Sequence, residues 1–162
     1  MYELLAWIEA SALAEVLRAS GIWTYGLINL AHILGIGTLF GSVLILDLRL
    51  LGVWRSIDLP AIAAPAVPLA AVGFLLAVVS GVLMISFNAT EYYGNPFLYI
   101  KFPLIALGLL NVAVLQGVPA WRKAVDGFEL ARTDERILCA AGGISLVVWL
   151  GVITCGRMIG YW

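Results

Sequence analysis

The chain has 162 residues, 63% of them hydrophobic and only 12% charged, with a net charge of −1. Soluble domains carry about 25% charged residues, so the composition excludes an ordinary soluble domain and points to an integral membrane protein. The near-zero charge offers no basic surface to nucleic acid. No basic n-region with a small-residue cleavage site precedes the first apolar run, so no cleaved signal peptide is expected.

In residues 1–20, Leu4, Leu5, Ile8, Ala12 and Val16 recur at helical spacing. Glu3, Glu9, Glu15 and Arg18 punctuate them. The pattern predicts an amphipathic helix from Tyr2 to Ala19, lying in the membrane interface; the alternative is a helix packed on the end of the bundle. Residues 21–162 predict a four-span transmembrane bundle. A bilayer core needs about 20 apolar residues per helix, and four runs meet that length. They cover Ile22 to Leu46, Val67 to Phe87, Asn95-Pro96 to Val118-Pro119, and Ile137 to Ile159. Pro60, Pro65 and Pro68 punctuate the approach to the second. Asn95-Pro96 reads as an N-cap followed by proline at the first helical position. Short connections favour antiparallel neighbours, so the fold class is all-α: an antiparallel four-helix bundle with an N-terminal interfacial helix. Gly156 and Gly160 have the small-xxx-small spacing of a close helix contact. Cys139 and Cys155 lie turns apart on one helix, cannot bridge each other, and read as small packing residues.

Arg49, Arg55, Arg122, Lys123, Arg132 and Arg136 place six of the nine basic residues in two connections. Basic loops stay cytoplasmic. Both termini are therefore expected outside the cytoplasm in a bacterial inner membrane, with Trp23, Tyr25, Tyr92, Tyr93, Tyr99, Tyr161 and Trp162 as an outer aromatic belt.

His32 is the only histidine. It stands in a stretch from Gly21 to Leu46 without a charged residue. An ionisable group at that depth is costly and is usually kept for a partner. Asn29 and Gly35 share its helix face, one turn to either side. Three readings follow: a structural histidine bonded to a carbonyl or to Asn29, an axial ligand to haem b, or a copper ligand or proton-relay member. For haem, Gly35 would leave room for the porphyrin face, and Lys101 and Arg157 would meet the propionates. A sixth ligand would come from Met84, Met158, Lys101, water or another subunit. Lys101 alternatively snorkels to the interface. Asp47 and Arg49 read as bundle pairing or headgroup anchoring, and Asn111 as interhelical hydrogen bonding.

The segments NLAHILGIGTLFGSVLILDLRLLG, VSGVLMIS and YYGNPFLYIKFPLIALGLLN resemble a family of small bacterial four-helix membrane proteins of unassigned function. More distantly the layout is similar to HemJ-type protoporphyrinogen oxidases and CopD-type copper-resistance membrane domains. His32 and Lys101 match the histidine and lysine that HemJ-type proteins pair in haem-b binding. Phe40 and Asp47-Leu48-Arg49 stand where HemJ-type proteins have a tryptophan and a proline-arginine element. The resemblance thus implies haem binding rather than protoporphyrinogen oxidation. The expected function is a haem-b-binding redox or electron-transfer subunit with its site in the outer membrane half. Its partners would be the bilayer, a quinone or a periplasmic redox protein, and further copies of the chain. The alternative is a non-enzymatic subunit or a small-solute or copper permease, with His32 and Lys101 structural.

Overall fold

The computed structural model describes residues 2–162, and every regular element among them is a helix. Two short helices, α1 (Tyr2–Glu9) and α2 (Ala12–Ala19), precede α3 (Trp23–Leu50), α4 (Leu59–Phe87), α5 (Pro96–Gly117), the short α6 (Pro119–Val125) and α7 (Arg132–Met158). The helices α3, α4, α5 and α7 are each long and apolar enough to cross a membrane. Their outward faces leave Leu75, Leu110 and Val147 exposed, as surfaces solvated by lipid do.

The N-terminal segment is two helices, not the single one expected. Ser11 breaks it: its hydroxyl accepts from Ala14 N at 3.3 Å and caps α2, and a serine that satisfies a free backbone N–H favours a helix start. The hairpin docks on the α4–α5 connection. Thr90 donates its backbone N–H and its hydroxyl to Glu9 Oε2, both at 2.7 Å. Arg18 donates to the Phe87 carbonyl at 3.0 Å. These two donors from Thr90, the backbone one first, hold the Glu9 carboxyl below its ordinary range.

Helix α4 begins at Leu59 rather than Val67, so the three prolines lie within it. Pro60 occupies the first turn, where no helical N–H is needed. Pro65 and Pro68 are carried inside a long apolar helix, as membrane helices tolerate. Asn95 caps α5 as its sequence foretold: Oδ1 accepts from Phe97 N at 3.0 Å and Leu98 N at 3.4 Å. Its Nδ2 donates to the Ile159 carbonyl and ties α5 to the end of α7.

Helices α3 and α4 pack backbone to backbone. A β-carbon at Gly35 would lie 2.6 Å from Ala77 N, and one at Gly73 would collide with Leu39 N. Only glycine permits such an approach. Helix α5 meets α7 through Trp149 against Gly108, Leu104 against Gly151, and Asn111 Nδ2 donating to the Ala141 carbonyl at 3.1 Å. Helix α3 meets α7 where Gly142 faces Leu50 and Asp47, and through Leu39 and Val43 against Trp149 and Val152. Gly156 touches Lys101, whereas nothing lies within 4 Å of a β-carbon at Gly160. The expected Gly156–Gly160 packing face is therefore a single contact, because the chain leaves α7 at Met158.

Candidate functional site

The helices place His32 (α3) against Ser80 and Gly81 (α4), about a third of the way along α3 from its aromatic-rich end. His32 Nδ1 lies 3.0 Å from Ser80 Oγ. That hydroxyl also bonds to the Leu76 carbonyl, with the Ala77 carbonyl at 3.3 Å. A serine has one hydrogen to give. It goes to the Leu76 carbonyl, so Ser80 Oγ accepts from Nδ1–H. By this count the neutral imidazole keeps its lone pair on Nε2. Gly81 makes room for the ring: a β-carbon there would sit 3.0 Å from His32 Cε1.

Ser80 thus holds the imidazole, where Asn29 was one expected partner. The ring turns toward α4 because α4 approaches so closely at Gly35 and Gly73. The same approach corrects the role given to Gly35. Its open side is filled by the α4 backbone at Ala77 and Gly73, so it is an interhelix contact and offers no free face. Asn29 remains half-buried one turn toward the aromatic end.

Lys101 is half-buried, with its ammonium 3.2 Å from where a β-carbon of Gly156 would be. No acceptor or carboxylate pairs with it among the described residues, whose one ion pair joins Lys123 and Asp134 at 3.0 Å. Arg157 is exposed and engaged elsewhere: its guanidinium stacks 4.5 Å over the Tyr161 ring and donates to the Tyr161 hydroxyl. Met84 lines a cavity of about 300 Å³ at the aromatic end with Tyr25, Phe87, Asn88, Glu91 and Tyr92. Burial pushes the Tyr92 hydroxyl above its ordinary range, and Tyr25 and Glu91 beside it add to the effect. A second cavity, about 370 Å³, lies at the basic end among Pro60, Ala64, Gln116 and Trp121. Neither is lined by His32. Among the described residues no three His, Cys, Asp or Glu side chains gather around one point.

The sequence reading missed Ser80 as the partner of His32. Its signal was a hydroxyl beside a glycine within an otherwise apolar span. It also missed a polar seam at the basic end, where Asp47 (3% exposed) and Ser145 (5% exposed) are buried between α3 and α7.

A family model described as "Family of unknown function (DUF6644)" matches residues 4–162, and the chain belongs to that family. No curated protein and no solved structure matches it.

Proposed function

For this member of the DUF6644 family we propose a role as a haem-b-binding redox or electron-transfer subunit of the bacterial inner membrane. The four long helices form an antiparallel transmembrane bundle, the basic end faces the cytoplasm, and the site lies in the outer half. The observation that carries the reading is the 3.0 Å approach of His32 Nδ1 to Ser80 Oγ, whose hydrogen is taken by the Leu76 carbonyl; on that count Nδ1 carries the imidazole hydrogen and Nε2 keeps the lone pair. Ligating histidines are held this way, with the second nitrogen donating to a fixed acceptor. Two residues would hold a haem: His32 through one imidazole nitrogen, and Lys101 through an ammonium without a counter-ion, suited to a propionate. Gly35 and Arg157 do not belong to that set, and Met84 belongs to the neighbouring cavity. Haem b supplies a one-electron centre when bound. Ser80 fixes the ring and tautomer of His32. Lys101 would hold the anionic edge of the group. A quinone or a periplasmic redox protein is the proposed partner at the outer face.

A second reading rests on the space available. The cavity at the aromatic end is small, about 300 Å³, and is lined by Tyr25, Asn88, Glu91 and Tyr92, which suit a small polar solute. A non-enzymatic solute-binding subunit or permease would use that cavity and leave His32 structural. The absorbance spectrum of protein purified after expression with haem supplied decides between them. A Soret band supports haem binding; its absence leaves the solute reading.

A further inference from the structure

The seam between α3 and α7 holds a carboxylate that nothing above uses. Asp47 is 3% exposed, one turn from the basic end of α3. Ser145, 5% exposed, is buried in the same seam with its hydroxyl beside the carboxyl group, but Oδ2 is buried with no partner. One turn along α7, Trp149 Nε1 is likewise buried without a partner.

No cation answers that carboxylate. Helix α4 contains no charged residue. On α5 the one charged residue is Lys101, at the other end of the helix. On α7 the residues facing Asp47 are Gly142 and Ser145, with Cys139 a turn away. Arg49, on α3 itself, donates to the Ile57 carbonyl at 2.8 Å. Lys123 of α6 is paired with Asp134. An isolated carboxylate in such a place is strongly disfavoured and takes up a neutralising partner instead. Two carboxyl oxygens and one hydroxyl are too few to cage a metal cation, which needs about six oxygens. A proton needs one. The unused Trp149 donor and the unused Asp47 acceptor are groups of the kind that buried water satisfies.

We propose that Asp47 is an intramembrane proton-binding site, carried as the neutral acid at neutral pH and exchanging its proton with water at the basic end. The binding step is balanced by one proton taken from that water as the carboxylate becomes a carboxylic acid.

The test is infrared spectroscopy of the purified full-length protein at neutral pH, without sodium. Wild type should show one protonated-carboxyl C=O band that shifts in ²H₂O, and Asp47→Asn should lose it. Should Asp47→Asn fail to fold, Ser145→Ala replaces it: removing the hydroxyl beside the carboxyl should move the band. Absence of the band in wild type overturns the proposal. So does a band that survives Asp47→Asn, one that Ser145→Ala leaves unmoved, or one that added sodium extinguishes.

Discussion

His32 Nδ1 and Ser80 Oγ, 3.0 Å apart, join the first two long apolar helices across a sequence separation of 48 residues. The bond fixes which imidazole nitrogen is free. Its loss should therefore be felt at any ligand of Nε2. Ser80→Ala is expected to weaken haem affinity about 10–100-fold, the usual effect of losing such a supporting bond, while the protein still inserts. Haem titration of the two proteins checks this; equal affinities would detach Ser80 from the site.

The glycines divide sharply by what surrounds them. At Gly35 a β-carbon meets the Ala77 backbone, so Gly35→Ala should cost about 1–3 kcal/mol by forcing α3 and α4 apart. At Gly160 there is open space, so Gly160→Leu should stay within about 0.5 kcal/mol of wild type. Reversible unfolding in detergent measures both. Equal losses at the two positions would contradict the packing described.

The N-terminal hairpin should respond to acid. Glu9 has its carboxyl lowered by the Thr90 backbone N–H first and the Thr90 hydroxyl second. Docking therefore gains from the ionised form above the ordinary carboxylate range and loses that gain as pH falls through the lowered value. A spin label at Ala10→Cys should become more mobile on acidification. The same label in a Glu9→Gln background should change far less with pH. An equal response in both would remove Glu9 as the latch.

Topology is open to labelling. In a background with Cys139 and Cys155 replaced by alanine, cysteines at the exposed positions Ser56 and Ala131 should be shielded from an impermeant thiol reagent added outside cells. A cysteine at the exposed Glu91 should react; Ala89, fully buried, is unsuited to the test. The reverse pattern would invert the proposed orientation.

What the sequence disclosed was mostly local. Long apolar runs located the four long helices because length and apolarity alone set a span. Asn95-Pro96 announced the start of α5 because capping is a matter of three or four neighbouring residues. The break at Ser11 was hidden by an unbroken apolar period on both sides of it. The start of α4 was hidden by prolines that read as linker although the helix runs through two of them. At the site, the lone His32 and Lys101 were legible as costly groups within long apolar runs. Their surroundings were not: the Ser80 bond, the filled side of Gly35 and the engagement of Arg157 with Tyr161 depend on how helices rotate against each other. The burial of Asp47 against α7, with its Oδ2 left without a partner, was hidden for the same reason.

The proposed function stands most directly on the haem content of wild type and His32→Ala, both expressed with haem supplied and assayed as the pyridine haemochrome. Replacing a polar residue by alanine makes the span no harder to insert, so both proteins should reach the membrane. Wild type should carry haem b and His32→Ala should carry none. A haem-free wild type, or a His32→Ala protein with the wild-type complement, would contradict the assignment.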